Sequence, residues 1–120
     1  MIQREFDELG QLFFEIELIA VNGEIFPVNA LLDTGSTEWL AINEQDLSAF
    51  EWPRVETRNV VSAMGETTFN TYLGKIRLDA QEYTIEVVAG FDLREVILGL
   101  PWLETRRLVV DRQQRILTLG

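Results

Sequence analysis

Short apolar stretches recur along the whole chain and are separated by turn-forming residues, a spacing that is typical of all-β folds. The stretches are rich in Val, Ile, Thr, Phe and Tyr, which favour extended strands. The pattern predicts strands over residues 12–21, 25–32, 39–42, 55–62, 67–78, 83–89, 96–98, 108–110 and 116–119. We therefore expect an all-β fold, either a barrel or a sandwich.

Two hairpins are marked by their turn residues. Asn22-Gly23 lies between the first two predicted strands, and this kind of dipeptide is the strongest short signal for a hairpin. Pro27 lies inside the second of these strands, so that part of the strand is expected at a sheet edge or a bulge. A longer hairpin joins residues 55–62 to residues 67–78 through Ala63-Met64-Gly65-Glu66. On the pattern alone, this second hairpin is an ordinary surface ribbon.

Two short helical segments interrupt the predicted strands. Asn43 followed by Asp46 has the pattern of a helix cap and predicts a short helix that ends near Phe50. Pro101 is a residue type favoured at the start of a helix, and it predicts one helical turn that ends near Arg106. Neither segment is long enough to change the all-β prediction.

Composition narrows the class of protein. The chain has 120 residues, of which 47% are hydrophobic, and this predicts one domain over residues 1–120 with a substantial core. Trp39, Trp52 and Trp102 are expected in that core or at its rim. The net charge of −10 argues against nucleic acid and against an anionic membrane surface as partners. Without a membrane-length apolar run or a signal-peptide pattern, we expect a cytoplasmic protein.

The absence of cysteine and histidine limits the chemistry of the chain. It excludes disulfides, a thiol nucleophile, the usual zinc sites and any Ser-His or Cys-His catalysis within the chain. The acidic residues lack the spacing of a calcium loop, so we expect no metal and no cofactor. Carboxylates remain as the plausible general acid/base groups.

Residues 31–36, Leu-Leu-Asp-Thr-Gly-Ser, are the most informative stretch of the sequence. The two leucines should end a buried strand, and Gly35 permits the sharp turn that follows. Asp33 is thereby placed at the edge of a core, where an ionised carboxylate is costly unless neighbours supply hydrogen bonds or share a proton. Such an environment suits an acid/base catalyst. The alternative is a capped surface turn in which Asp33 bonds its own backbone.

The order of three features resembles the retropepsin-like aspartic proteases, especially their single-domain bacterial and cyanobacterial members. The features are Leu-Leu-Asp-Thr-Gly-Ser, the glycine-tipped hairpin, and Ile97-Leu98-Gly99 before a short helix. The resemblance covers residues 13–119. It implies a retropepsin-like acid-protease barrel with one short C-terminal helix, assembled as a two-fold homodimer. It also implies aspartic endopeptidase activity on a peptide or protein substrate bound in an extended conformation.

The resemblance implies a role for each matching residue of the loop. Asp33 is the catalytic carboxylate, and the Thr34 hydroxyl bonds across the dimer axis to the partner's backbone. Gly35 lets its amide approach the carboxylates, and the Ser36 hydroxyl donates a hydrogen bond to the outer oxygen of Asp33. Two further segments of the chain also resemble segments of this protease family.

Those segments are Ala63-Met64-Gly65 and Ile97-Leu98-Gly99. Ala63-Met64-Gly65 corresponds to the tip of a flap that folds over a bound peptide and pairs with it as an added strand. Ile97-Leu98-Gly99 packs beneath the catalytic loop, where Gly99 provides clearance.

A single Asp-Thr-Gly per chain implies that the active site needs two copies. Two neighbouring carboxylates share one proton, so that one activates a water and the other stabilises the developing oxyanion. This chain supplies Asp33, while its other aspartates lie in predicted turns, loops or caps. The second carboxylate must then be the partner's Asp33, brought alongside by a two-fold axis.

The chain departs from the viral members of that family at the dimer contacts. Viral members pair an Asp just after the catalytic loop with an Arg at the start of the following helix. Thr37-Glu38 and Leu100-Pro101-Trp102 stand at those places here, so that ion pair is absent. Whether the strand at 116–119 joins an intersubunit sheet is left open. Ser36, where viral members have alanine, is the pepsin-like choice and leads us to expect an acidic optimum.

Two other functional classes remain open at this point. One is a catalytically silent module of the retropepsin fold that uses its groove or dimer interface for binding or assembly. The other is an unrelated small β-barrel binding protein in which Asp33 is a capped turn, without a hydrogen bond from Ser36.

Overall fold

Ten strands and two short 3₁₀ helices make up most of the chain in the computed structural model, which describes residues 1–62 and 65–120 but not the side chains of residues 60–62. The strands are β1 (Ile2–Gln3), β2 (Phe13–Ile19), β3 (Ile25–Leu32), β4 (Leu40–Asn43), β5 (Arg54–Ser62), β6 (Gly65–Leu78), β7 (Gln81–Gly90), β8 (Val96–Leu98), β9 (Leu108–Asp111) and β10 (Ile116–Leu119). The 3₁₀ helices are Glu44–Ala49 and Leu100–Glu104.

Seven of the strands form one sheet that closes into a barrel. Their order is β2-β3-β8-β4-β7-β6-β5, and β2 also pairs with β6. The β3–β8 and β4–β7 pairs are parallel, and the other neighbours are antiparallel. The closing pair places Glu17 opposite Arg77 and Ile19 opposite Lys75. The predicted all-β barrel is therefore confirmed.

The first predicted hairpin has the expected turn. Gly23 has a φ of +89°, in the left-handed region that glycine enters without steric cost. The Asn22 Oδ1 accepts a hydrogen bond from the Glu24 amide at 2.9 Å. Pro27 pairs with Glu17 on one side, and β8 joins the other side of β3 only from Ala30 onward. Pro27 therefore faces an unpaired edge, as predicted.

Both predicted helical segments are 3₁₀ helices. The side chain of Asn43 caps the first one by accepting a hydrogen bond from the Gln45 amide at 3.3 Å. Pro101 lies in the first turn of the second. Segments of this length suit 3₁₀ geometry because the tighter winding is tolerated only over a few residues. No helix in the described part of the chain has the length and apolar character needed to cross a bilayer.

The core lies inside the barrel and contains two of the three tryptophans. Trp102 is 1% exposed and Trp52 is 6% exposed, while the half-buried Trp39 packs against the same cluster. The rings of Trp39 and Trp102 meet edge to face with centroids 4.9 Å apart. The tryptophans are therefore packing residues, as expected.

A separate three-stranded sheet joins the first and last strands. β10 lies in the middle, with Ile2 opposite Leu119 on one side and Leu117 opposite Val110 on the other. Gly120 lies against the Met1 side chain, since a Cβ built on that glycine would be 3.0 Å from the Met1 Cγ. Both edges of β10 are thus occupied within one subunit, so β10 has no free edge with which to join an intersubunit sheet.

Two carboxylates on the barrel surface form ion pairs that depend on pH. The N-terminal amino group and then Arg106 lower the pKa of Asp79 below its usual value, and Arg77 and then Lys75 do the same for Glu82. A lowered carboxylate pKa means that the ionised form is favoured in the folded state. The stabilisation is therefore present above the unfolded pKa of about 4 and is lost as the pH falls through the folded values.

We expect the melting temperature to fall on acidification below about pH 4, and to fall less in Asp79→Asn than in the wild type. The substitution suits the left-handed backbone at Asp79, where φ is +54°. Thermal unfolding at several pH values measures the difference. Asp46→Asn is the control, because Asp46 makes no ion pair within residues 1–62 and 65–120. Equal acid sensitivity of all three proteins would contradict the assignment.

Candidate active site

The backbone of Asp33 is held at the end of β3, a strand whose last three residues include the buried Ala30 and Leu32. Leu32 is 4% exposed, and its amide donates to the Leu12 carbonyl at 2.8 Å. The Asp33 amide donates to the Leu98 carbonyl at 2.9 Å, which extends the parallel β3–β8 ladder by one residue. The sequence-predicted arrangement, an apolar strand leading into the aspartate, is present.

The carboxylate itself is exposed in the single chain. Its Oδ1 accepts a hydrogen bond from the Gly35 amide at 2.8 Å, and Asp33, Thr34 and Gly35 are all exposed. A Cβ on Gly35 would lie 3.1 Å from that oxygen, so glycine permits the close approach of the amide. The expectation that Asp33 lies at the edge of the core holds for its backbone, but this subunit alone does not desolvate the side chain.

The Ser36 hydroxyl differs from what the resemblance implied. Its Oγ accepts a hydrogen bond from the Glu38 amide at 3.4 Å, and no hydrogen bond joins it to Asp33 within the described residues. A hydroxyl that accepts from the residue two positions ahead closes a local turn. This bond uses a lone pair of the Ser36 oxygen and leaves the hydroxyl hydrogen available to donate elsewhere. The Ser36 amide donates to the Asp33 carbonyl at 3.1 Å, which completes the turn.

Gly99 lies directly beneath the loop. The Leu100 amide donates to the Ser36 carbonyl at 2.7 Å, and the Gly99 amide approaches the Trp39 carbonyl at 3.4 Å. A Cβ on Gly99 would be 1.7 Å from the Glu38 carbonyl oxygen and 2.9 Å from that of Ser36. No side chain fits there, so Ile97-Leu98-Gly99 supports the loop and clears space for it.

Trp102 gives the loop a second support. From the sequence, this residue is expected only to pack in the core or at its rim. Its Nε1 donates to the Trp39 carbonyl at 2.7 Å from a nearly fully buried position. The Trp39 carbonyl therefore receives hydrogen bonds from both Gly99 and Trp102. The sequence shows a tryptophan shortly after the Ile-Leu-Gly segment. The hydrogen bond to the Trp39 carbonyl joins residues 63 positions apart, so no local pattern predicts it.

The long hairpin predicted as a flap is formed by β5 and β6. The strands pair from Arg54–Tyr72 to Ser62–Gly65, with an irregularity between Arg54 and Glu56. Gly65 has a φ of +115°, which favours glycine. Ala63 and Met64 lie outside the described residues. The hairpin is confirmed as a structural element, and its role as a flap stays a prediction.

An ion cluster connects this hairpin to the loop of Asp33. Arg58 of β5 donates from Nη1 and Nη2 to the two carboxylate oxygens of Glu38, at 3.2 and 2.9 Å. The Arg58 Nη2 also lies 3.2 Å from the Glu86 Oε1 of β7, and its Nε lies 3.7 Å from the Glu56 Oε1. The hydrogen bond to Glu38 is the main reason that the pKa of Arg58 is raised above its usual value. No local pattern in the sequence predicts this cluster, because Arg58 and Glu38 are 20 residues apart.

Comparisons with known proteins locate the fold. Neither a protein-family model nor a curated protein matches the chain. The retropepsin-like aspartic protease from Rickettsia conorii superposes with a TM-score of 0.71 at 19% identity, covering 98% of this chain and 88% of that one. The EIAV protease, solved with the inhibitor HBY-793, gives 0.63 at 16% identity, covering 89% of this chain and 100% of that one.

A third solved structure, the simian foamy virus (mac) protease, gives a TM-score of 0.57 at 22% identity, covering 80% of this chain and 99% of that one. All three neighbours are proteases, and at these identities the likeness is one of fold. The fold of this chain is that of the retropepsin-like aspartic proteases.

Proposed function

We propose that the chain is an aspartic endopeptidase that hydrolyses peptide bonds in extended peptide or protein substrates. The observation that carries this proposal is the Asp-Thr-Gly-Ser turn with its exposed Asp33, anchored directly after the buried Leu32 in a retropepsin-like fold. The chain contributes Asp33, and the partner's Asp33 supplies the second carboxylate of the dyad.

The hydrogen bonding of Asp33 leaves one carboxylate oxygen available for this chemistry, although the bond from the Gly35 amide is also that of a capped turn. One oxygen is occupied by the Gly35 amide, while Oδ2 has no hydrogen-bond partner within residues 1–62 and 65–120. In a dimer, the free oxygens face a second carboxylate and a water. Like charges that close share one proton, so one carboxylate removes a proton from the water as it attacks the peptide carbonyl. The protonated carboxyl stabilises the oxyanion and then passes its proton on.

The proposed dimer contact surrounds the Asp33 loop. The terminal strand β10 has no free edge, which disfavours an intersubunit sheet built on it. Beside the loop lies a depression of about 380 Å³ lined by Thr37, Leu100, Pro101, Leu103 and Glu104. Leu100 is 44% exposed there, and its amide is anchored to the loop at Ser36. A copy that brings its aspartate alongside covers this apolar surface.

Asp33→Asn is expected to reduce peptide cleavage by about 10³-fold or more, because the amide can neither accept nor donate the transferred proton. The assay is cleavage of a diverse peptide library from acidic to neutral pH. The side chain is exposed, so the melting temperature should stay close to that of the wild type. Asp46→Asn is the matched control on an exposed aspartate of the first 3₁₀ helix.

Mixing the two proteins tests whether the dyad spans two subunits. A wild-type subunit paired with Asp33→Asn has a single carboxylate, so added variant should lower the wild-type activity, whereas added Asp46→Asn should not. Sedimentation measures self-association in the same samples. Cleavage that survives Asp33→Asn would refute the proposed function. Loss of cleavage in the variant without any inhibition on mixing would refute the shared dyad.

A further inference from the structure

Three separate elements converge on the guanidinium of Arg58. Arg58 lies in β5 opposite Phe69, Glu38 lies just before β4 in the segment that begins at Asp33, and Glu86 lies in β7 opposite Leu73. The side chains of Arg58 and Glu38 are 35% and 30% exposed. The cluster is thus a half-buried bridge between the hairpin and the loop of the candidate active site.

The Arg58–Glu38 contact has the geometry of a positioning device. Both carboxylate oxygens of Glu38 accept from the two terminal nitrogens of one guanidinium. A planar, two-point contact fixes orientation as well as distance, which a single-point lysine contact does not do. Glu86 lies at ion-pair distance, but its Oε1 is buried without an aligned hydrogen bond. Glu38 is therefore the partner that orients Arg58.

The backbone of Glu38 is itself fixed to the loop. Its amide donates to the Ser36 Oγ, and its carbonyl lies over Gly99 with no room for a side chain between them. The Glu38 side chain therefore projects from a backbone that is hydrogen-bonded and closely packed within the Asp33 turn. On the other side, Arg58 belongs to a strand that is paired along most of its length with β6.

We propose that Arg58 and Glu38 are positioning residues that set the height of the β5–β6 hairpin over the Asp33 loop. This inference rests on the proposed function, in which an extended peptide binds between the hairpin and that loop. With the bridge intact, the middle of the hairpin is held at one distance from the loop of the carboxylate. With the bridge broken, substrate binding must first order the hairpin, and the cost is a weaker apparent affinity.

Arg58→Met is expected to raise KM for an extended peptide roughly three- to tenfold while changing kcat less, since Asp33 itself is untouched. Glu38→Gln should shift KM in the same direction. Arg58→Lys should lie between Arg58→Met and the wild type, because it keeps the charge and loses the two-point contact.

The chain offers a matched control for the loss of an arginine bridge. Arg77 also contacts two carboxylates, Glu17 at 3.4 Å and Glu82 at 3.1 Å, and its side chain is 31% exposed. It lies where β6 closes the barrel against β2. Arg77→Met should cost similar stability in urea unfolding and leave KM unchanged. Equal KM values for Arg58→Met, Glu38→Gln and Arg77→Met would overturn the proposal.

Amide hydrogen exchange separates this inference from the proposed function. Arg58→Met should speed exchange in both the hairpin strands and residues 33–39, whereas Arg77→Met should not. If that coupled change occurs in a protein that cleaves no peptide, the bridge stands and the peptidase proposal falls. If the wild type cleaves peptides but Arg58→Met leaves exchange in both segments at wild-type rates, the bridge falls and the peptidase proposal stands.

Discussion

Gly99→Ala is expected to destabilise the protein by about 3 kcal/mol or more and to disrupt the turn that carries Asp33. The added methyl group would lie 1.7 Å from the Glu38 carbonyl oxygen, which is far inside van der Waals contact. The obstructing atoms belong to the backbone, so no side-chain rotation relieves the clash. The turn or β8 must move, and either movement breaks the Leu100–Ser36 and Asp33–Leu98 hydrogen bonds.

Urea unfolding measures the loss of stability, and peptide cleavage measures the loss of the site. Gly90→Ala is the comparison variant, because the atoms nearest to its methyl group would all belong to the side chain of the half-buried Leu93, which can rotate. It should cost less stability than Gly99→Ala and affect cleavage only in proportion to unfolding. A Gly99→Ala protein with wild-type stability would show that the turn and strand do not have the close approach described above.

Trp102→Phe is the second substitution with a large expected effect. It keeps an aromatic ring in the core and removes the Nε1 hydrogen bond to the Trp39 carbonyl, leaving that carbonyl with only the long contact from Gly99. The expected destabilisation is about 1–3 kcal/mol, from an under-satisfied, part-buried acceptor and a smaller ring. The catalytic efficiency should fall as well, since Trp39 continues directly from the Asp33 turn.

Trp52→Phe distinguishes a general packing effect from a local one. Trp52 is also buried, and its Nε1 donates to the Ile19 carbonyl at 2.9 Å, at the end of β2. The two variants should lose similar stability in urea, but only Trp102→Phe should reduce kcat/KM under conditions where both are folded. If both variants reduce it equally, Trp102 acts through stability alone.

The features that could be predicted from the sequence are those with a local physical signal. Leu31 and Leu32 indicate the strand that ends at Asp33, Asn22-Gly23 indicates its hairpin, and the apolar run before Gly99 indicates a further short strand. The clearance that Gly99 gives the loop is implied by the family resemblance and not by a local pattern. The retropepsin-like barrel follows from the order of such signals, and the solved structures confirm it at the level of fold.

The remaining features depend on contacts between residues that are distant in sequence, or on the orientation of a single hydroxyl group. Closure of the barrel pairs β2 with β6, and the bridge joins Arg58 to a glutamate 20 residues earlier, so no periodic pattern encodes either contact. β1 has two residues, too few to show alternation. The Ser36 hydroxyl accepts a hydrogen bond from the Glu38 amide, and the residue type alone does not say where its own hydrogen points.

The terminal three-stranded sheet has a consequence for engineering. Because β1 and β10 lie side by side and Met1 contacts Gly120, a short peptide linker can join the two termini without crossing the barrel. A cyclised or circularly permuted chain opened at the exposed turn between β9 and β10 would keep the Asp33 loop on an unbroken strand. Comparing the unfolding of such a chain with that of the linear chain would show how much the pairing of β1 with β10 contributes to the stability of the barrel.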